Sequence, residues 1–476
     1  MSSEPGALPF RRLHPAGIAV LGVRGLRDVA IPLGVAFLAA VAGGGGGAPV
    51  TRIVVYGLIG AVVAVAIGVV GWMTTRWSVG DGRIRLRTGV LSEKVTDVPL
   101  GRVQAIDTVH GPLQRMFGVV GVHVQTAGGG RDAEIKLAAV TPADVELLRA
   151  AIDRRGGVAE AEEPDAVRRL ERGRLLLAAL TAGQLGVLVP VLAVIPQIGE
   201  EIWGNDIQDA GREGLDLVPG SAPGWIAAIA GLLLLAWLLS TVGAVVSFAG
   251  FTVTRDGDRL RIHRGFLARR DSTVPVARVQ AVHVVEGVLR QPFGLAALRV
   301  EVAGYAKEAA AAQTLFPLLR GDEVGPFLRE LLPELADEAG GLAPAPPRAL
   351  RRYVLAPAAL GLAAGVAAAI ALGPPWPLLA VVPGVLYGVA RFRAAGWRLE
   401  DGRVALRYRM LARTTVLAPA ARLQEHGTRQ TVLQRRARLA DIEVKVGAGT
   451  SAAVRHLDAA VAGRLFDALR REDAVR

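Results

Sequence analysis

The stretch Val98-Pro99-Leu100-Gly101-Arg102-Val103-Gln104-Ala105 occurs three times in this chain. It returns as Val274-Pro275-Val276-Ala277-Arg278-Val279-Gln280-Ala281, with Arg278 lying 176 residues after Arg102. A more altered copy, Leu417-Ala418-Pro419-Ala420-Ala421-Arg422-Leu423-Gln424, places Arg422 a further 144 residues on. The similarity extends outward. Trp77-Ser78-Val79 with Asp81-Gly82, Phe251-Thr252-Val253 with Asp256-Gly257, and Trp397-Arg398-Leu399 with Asp401-Gly402 open the three copies. Leu113-Gln114-Arg115-Met116-Phe117-Gly118 matches Leu289-Arg290-Gln291-Pro292-Phe293-Gly294, and Leu433-Gln434-Arg435-Arg436 follows in the third. A repeat at this spacing means that one supersecondary unit is used several times.

Between the copies lie long apolar runs, which explain a mean hydropathy of +0.38. The 476 residues suffice for about three domains. The absence of Cys excludes disulfides, thiolate catalysis and zinc–thiolate sites. The net charge of +12 is carried almost wholly by Arg, since Lys stands only at 94, 136, 307 and 445.

Residues 1–28 hold Arg11, Arg12, Arg24 and Arg27 and no early apolar core, so they read as an uncleaved cytoplasmic segment rather than a signal peptide. Uncharged runs over 29–49 and 53–75 are long enough for a bilayer of about 30 Å and form a first transmembrane hairpin, 29–75. Residues 76–155 form the first module. Arg83-Ile84-Arg85-Leu86-Arg87 alternates at period two, as a half-buried strand does. Thr141-Pro142-Ala143-Asp144 then opens an amphipathic helix with Leu147, Leu148, Ala151 and Ile152 on one face. A linker, 156–174, precedes the second hairpin, 175–250, whose runs 175–198 and 225–248 flank an acidic loop. The second module, 251–338, ends in a helix near 323–335. The linker 339–352 leads to the third hairpin, 353–393, with runs 353–372 and 376–390, and to the third module, 394–476, closed by a helix around 459–471. Trp72, Trp225 and Trp376 sit near run ends, either as interface anchors or as packed aromatics.

Arginines collect before runs one, three and five, and the intervening turns hold only Arg52 and Arg212. The positive-inside rule therefore places both termini and all three modules in the cytoplasm of a multi-pass bacterial inner-membrane protein. No HExxH, GxSxG or other catalytic or metal-ligand spacing occurs, and the apolar runs carry no Asp, Glu, Lys, Arg or His. No catalytic residue, cofactor or metal is expected.

Two sets of residues are candidate contacts. Arg102, Arg278 and Arg422 recur at one position, either as lipid or partner contacts or as structural arginines of the repeated fold. Arg435, Arg436 and Arg438 stand in the third module; over residues 391–476 Lys and Arg outnumber Asp and Glu 18 to 9, against 12 to 9 in residues 76–155 and 12 to 12 in residues 251–339. Near an anionic leaflet each exposed base contributes about 1 kcal/mol of attraction. A solvated basic face is the other reading. A basic patch also suits nucleic acid, but a membrane-tethered module offers no recognised fold for it, and no nucleic-acid partner is expected.

The strand pair with its Asp-Gly turn, the V-P-x-x-R-V-Q stretch, L-x-R-x-F-G and the strand ending in Thr126-Ala127-Gly128 resemble the bacterial pleckstrin-homology-like (PH) domain of small membrane proteins, which place two transmembrane helices before each such domain. The third copy departs from the pattern by losing Phe-Gly and Thr-Ala-Gly. The resemblance implies an α+β membrane protein: six transmembrane helices in three hairpins, plus three small antiparallel β-barrel or sandwich domains, each capped by a C-terminal helix. It brings no catalytic residues and no established ligand. The function expected is a non-enzymatic scaffold or regulator binding anionic lipid headgroups, a membrane or cytoplasmic protein partner (a related membrane protein included), or both. The alternative is a transporter or export accessory subunit in which the hairpins form a path.

Overall fold

The computed structural model describes residues 10–25, 49–89, 92–126, 135–153, 166–181, 222–302, 314–336, 341–373, 375–446 and 450–474. The chain divides into two compact units. Met1–Glu162, Glu171–Phe251 and Ile262–Thr273 form the first; Glu163–Leu170, Thr252–Arg261 and Val274–Arg476 form the second.

The first copy opens with strand β1 (Arg11–Arg12), a helical segment over residues 17–25 and helix α1 (Pro49–Thr74). Strands β2 (Arg76–Gly80), β3 (Arg83–Thr88), β4 (Lys94–Pro99) and β5 (Val103–His110) follow, then the short helix α2 (Pro112–Met116). Strands β6 (Val120–Thr126) and β7 (Ile135–Val140) and helix α3 (Pro142–Asp153) complete it. The second copy repeats the order with β8 (Ala166–Arg169), α4 (Arg172–Leu180) and α5 (Ala222–Phe248). It continues with β9 (Thr252–Asp256), β10 (Arg259–Arg264), β11 (Arg269–Pro275), β12 (Val279–Glu286), β13 (Leu295–Val302), β14 (Thr314–Arg320) and α6 (Gly321–Leu331). The third comprises β15 (Ala343–Pro344), α7 (Leu350–Leu372), α8 (Val381–Ala394), β16 (Gly396–Glu400), β17 (Arg403–Arg409), β18 (Arg413–Pro419) and β19 (Leu423–Arg429), then α9 (Val432–Arg436), β20 (Leu439–Val446), β21 (Thr450–Asp458) and α10 (Ala459–Ala474).

The repeated octapeptide is the corner at which each copy passes from one sheet to the next. Proline fixes φ near −65°, and Pro99, Pro275 and Pro419 sit at φ −62°, −63° and −62° before a single 3-10 turn. The next residue, Leu100, Val276 or Ala420, is buried in every case. Its N–H donates to the carbonyl of Gly82, Asp258 or Gly402 at 2.8, 2.7 and 2.7 Å, tying the corner to the turn of the opening hairpin. That turn needs positive φ at both central positions in the first and third copies, with Asp81 at 52°, Gly82 at 74°, Asp401 at 48° and Gly402 at 69°.

In the first unit one sheet runs β1-β2-β3-β4, and β5, paired with β6 on one side, takes β11 of the second copy on the other, from Arg269↔His110 to Ser272↔Asp107. In the second unit a seven-stranded sheet runs β14-β13-β12-β18-β17-β16-β15, and a three-stranded sheet runs β19-β20-β21. There β12 of the second copy takes β18 of the third, from Val282↔Leu417 to Glu286↔Arg413. The small antiparallel domains are thus joined at their edges, β5 to β11 and β12 to β18. The cause is the open edge that a three-stranded half-sheet leaves at β5 and β12, which the following copy covers.

The expectation of six transmembrane helices in three hairpins is overturned. Among the described residues two helices are long and apolar enough to cross a membrane, Pro347–Ile370 and Trp376–Ala394. Two further apolar stretches, Leu58–Thr74 and Trp237–Phe248, lie within α1 and α5. Residues 29–48 of the first run, 182–198 of the third and the acidic stretch 199–221 lie outside the described residues. The described domains outside these helices are mostly β-sheet.

The two spans form a close hairpin. Gly361 and Gly365 on α7 and Gly384 and Gly388 on α8 stand in two G-x-x-x-G patterns. A Cβ on any of them would collide with backbone across the hairpin: with the carbonyl oxygens of Ala380, Pro377 and Pro357, and with Val354 Cα. Small residues permit such approach, and packing then holds helices whose outer faces meet lipid. Most of both spans is indeed left uncovered, with 11% and 17% of their apolar windows buried.

The first copy's core draws in the N-terminal segment. Leu13 and Val20 are buried with Trp77, Ile84, Val122, Leu137 and Leu148. Trp72 packs against this cluster and donates Nε1–H to the Leu13 carbonyl at 2.8 Å, so it is a packed aromatic. Trp376 is 64% exposed, and the side chain of Trp225 lies outside those described. In the third copy Val404, Leu406, Val416, Ile442, Val454, Leu465 and Leu469 fill the space between the two sheets and α10.

Candidate functional site

Where the membrane hairpin meets the third copy, the second unit encloses a cavity of about 690 Å³. Its wall is assembled from α7 and α8 (Tyr353, Tyr387, Arg391), from β17 (Tyr408, Arg409, Met410), and from the β19–β20 connection with β20 and β21 (Arg429, Gln434, Asp441, Glu443, Arg455, His456).

A buried polar node holds its floor. Thr431 caps α9: its Oγ1 accepts from Gln434 N at 3.3 Å, while Gln434 Oε1 accepts from Thr431 N at 2.7 Å. Gln434 is 3% exposed. Its Nε2 donates to Asp441 Oδ1 at 2.5 Å and stands 2.9 Å from His456 Nδ1. Asp441 Oδ1 also accepts the backbone N–H of His456 at 2.8 Å. Burial pushes the His456 imidazole below its ordinary pKa, against the opposing pull of Asp441. Tyr353 stands over this node, its ring edge-on to His456 at 5.0 Å and its hydroxyl donating to the Arg455 carbonyl at 2.6 Å.

The cations of the wall are anchored from the membrane side and from the second copy. The Arg391 guanidinium lies 5.7 Å from the Tyr353 ring and 5.6 Å from the Tyr387 ring. Arg409 Nη1 donates to Gln291 Oε1 at 2.7 Å, while its Nε is buried without a hydrogen-bond partner. Beside it, Arg407 Nε donates to the Ala394 carbonyl at the end of α8 at 3.0 Å, and burial lowers its pKa.

The two candidate arginine sets fall in different places. Arg435, Arg436 and Arg438 are all exposed on α9 and just after it. They share that surface with Val432 (67% exposed) and Leu433 (56% exposed). Arg352, at the start of the membrane hairpin, donates Nη2–H to the Leu433 carbonyl at 3.0 Å, fixing this loop to the hairpin's foot. Arg422 instead closes the corner of the third copy against the second: Nη1 donates to the Val279 carbonyl at 2.5 Å and Nη2 to Glu334 Oε2 at 2.6 Å. Arg102 and Arg278 are exposed at the equivalent corners. The arginines that precede the apolar runs are likewise engaged. Arg11 donates to Asp144 Oδ1 at 2.7 Å, Arg168 pairs with Glu330, and Arg348 pairs with Asp458, each reaching the closing helix of its copy or the residue before it.

Arg409, Gln434, Asp441, Arg455 and His456 were not singled out by sequence reasoning. One signal was available: Gln114, Arg290 and Gln434 occupy the same position of the repeat, and all three are buried polar residues. A polar residue buried at the same position of every copy marks a node of hydrogen bonds.

Comparison with known proteins bears on the whole chain. The bacterial PH domain profile matches residues 28–156, 205–335 and 352–473. The UPF0699 transmembrane protein YdbT of Bacillus subtilis (strain 168) is 26% identical over 407 residues, spanning 80% of this chain and 81% of that protein. No solved structure matches.

Proposed function

This chain belongs to the bacterial PH domain family and is a membrane protein, and from that premise we propose a non-enzymatic scaffold of the bacterial cytoplasmic membrane whose third copy grips the anionic headgroups of the inner leaflet. The observation that carries this reading is the α9 surface. Exposed Val432 and Leu433 lie beside exposed Arg435 and Arg436, and Arg352 ties the loop to the start of a membrane-crossing hairpin. Apolar tips flanked by cations are what an interface with anionic lipid selects. The excess of 18 bases over 9 acids in residues 391–476 favours the same partner.

Orientation follows from the hairpin ends. Arg348, Arg351, Arg352, Arg391 and Arg393 gather at one end, and the turn Gly373-Pro374-Pro375 carries no charge. By the positive-inside rule the third copy faces the cytoplasm. The four glycine contacts that close the hairpin favour a packed scaffold over a conducting path. A protein partner would dock on the same cytoplasmic side.

The chain has no cysteine, so a single nitroxide can be placed by Leu433→Cys. In nanodiscs of phosphatidylcholine with phosphatidylglycerol, the label should be shielded from a water-soluble relaxation agent and exposed to oxygen. In phosphatidylcholine alone it should withdraw. Equal accessibility in the two lipids would sink the headgroup reading.

A further inference from the structure

Two strand edges break the pattern of the repeat. Strands β1, β8 and β15 end their sheets in all three copies, and so do β7, β14 and β21. The remaining sheet ends are β4 and β19, whose equivalents are never ends. β11 pairs with β5 and β18 with β12, whereas among the described residues β4 pairs with β3 alone and β19 with β20 alone.

The two internal joints are one structure made twice. Arg269 and Arg413 stand six residues before the repeated proline, and His110 and Glu286 stand eight after the repeated arginine. Arg269 lies opposite His110, and Arg413 lies opposite Glu286, so the register is identical. Applied to β4 and β19, that register sets Val95 opposite Thr428, Lys94 opposite Arg429 and Thr96 opposite Gly427.

The side chains suit the joint. Where it would place Val95 and Thr428, the joint of the second and third copies holds Thr415 and Val284, 2% and 3% exposed. The same Val–Thr pair thus recurs with its members exchanged. Yet Val95 is 56% exposed, and Thr428 is exposed as well. Cross-strand contact between β-branched side chains stabilises a sheet, and an edge with one neighbour is a template for a further strand. Charge does not bar such pairing, since β11 is joined although it carries Arg269, Arg270 and Asp271. A second copy of this chain offers the complement of both edges.

We propose that β19 takes β4 of a second copy of this chain, in the register that β5 with β11 and β12 with β18 already use. Such a joint has different surfaces on its two sides, so it closes chains into rings or extends them in rows. It goes beyond the lipid reading and does not rest on it.

The absence of cysteine lets disulfide formation in native membranes read the register. Two full-length chains with different tags are co-expressed, each carrying one cysteine. Residues directly opposite in an antiparallel pair hold their Cβ atoms about 4.5–5.5 Å apart on one face, whereas a shift of one residue puts them on opposite faces. Val95→Cys with Thr428→Cys, or Lys94→Cys with Arg429→Cys, should give a mixed-tag dimer on mild oxidation. The yield should be about fivefold or more that of the offset pairs, Val95→Cys with Arg429→Cys and Lys94→Cys with Thr428→Cys. Adding Lys94→Glu to the Val95→Cys chain sets an acid opposite Arg429 and should raise the yield with Thr428→Cys about twofold. No mixed-tag dimer from either in-register pair overturns the proposal, and so do offset pairs that link equally well. Same-tag dimers of the Val95→Cys chain in equal yield would mean that β4 pairs with β4, which overturns the joint of β19 with β4. A yield that Lys94→Glu lowers overturns the register.

Discussion

The first and third copies use one backbone for two chemistries, and the turn between their fifth and sixth repeated strands shows it best. In the first copy Leu113-Gln114-Arg115-Met116-Phe117-Gly118 ends with Gly118 at φ +63°; in the third, Leu433 to Arg438 ends with Arg438 at φ +52°. Both close by the same bond, from Gly118 N to Arg115 O at 3.3 Å and from Arg438 N to Arg435 O at 3.1 Å. The entry differs too. The first copy starts its short helix with Gly111-Pro112, whereas the third uses a Thr431–Gln434 capping box. The third copy has thus exchanged Met116-Phe117-Gly118 for Arg436-Ala437-Arg438 while holding a left-handed residue where glycine is at ease. The loss of a sequence signature here marks a changed surface on an unchanged frame.

The comparison can be broken most severely at the hairpin. Gly384→Leu would drive a side chain into the Pro357 carbonyl and should separate the two spans, at a cost of about 3 kcal/mol or more. In the first copy Gly68 meets the Ile18 carbonyl in the same manner. Gly68→Leu should therefore lower the thermal midpoint of the full chain as well; a tolerated Leu at either site would show that the helices are not held that closely.

A smaller loss is expected at the buried node. Gln434→Leu leaves the Asp441 carboxylate and His456 without their amide partner and should destabilise the chain by about 1–3 kcal/mol. Chemical denaturation of the full chain checks this, and the double variant with Asp441→Asn should recover part of the loss if the two groups are coupled.

Next in size is the left-handed position. Arg438→Gly should stabilise by about 1 kcal/mol, and Gly118→Ala should destabilise by a similar amount. A midpoint that falls with Arg438→Gly would mean that the arginine side chain contributes more than its backbone strain costs.

The smallest effect is one of pH. Because the folded-state pKa of His456 is depressed, the unfolded chain takes up a proton first as pH falls below about 6.5. Stability is then lost with acidification from that point down to the folded pKa. The pairing of β20 with β21 and of β6 with β7 places Ala139 at the equivalent site of the first copy, which has nothing there to titrate. His456→Asn, which tolerates positive φ, should flatten the third copy's share of the slope between pH 7 and 5, measured against the unsubstituted chain.

The three copies, their closing helices and the corner at Pro99, Pro275 and Pro419 were legible because they rest on local chemistry: a fixed φ, a buried next residue, a helix cap. The joining of β5 to β11 and of β12 to β18 was not, because strand alternation names the buried face and not the neighbour at the edge. Six spans were read from the apolar runs, whereas among the described residues two helices qualify; the paired G-x-x-x-G patterns of their hairpin were readable. The cavity escaped notice because its members come from six separated stretches, and none of them has a spacing that signals chemistry. Of the six arginines singled out, Arg422 joins the third copy to the second by hydrogen bonds, and the other five are exposed.

The central claim, that the third copy engages the anionic leaflet through its basic turn, is met most directly by two nitroxides in anionic nanodiscs, one at Leu433→Cys and one at Phe117→Cys, each followed as salt rises from 0.1 M to about 1 M, where the screening length falls from about 10 to 3 Å. The account predicts that the Leu433 label loses depth with salt, that Arg435→Ser with Arg436→Ser removes most of that dependence, and that the Phe117 label is indifferent. A Leu433 label that salt and the double substitution leave in place, or one that behaves as Phe117 does, would contradict it.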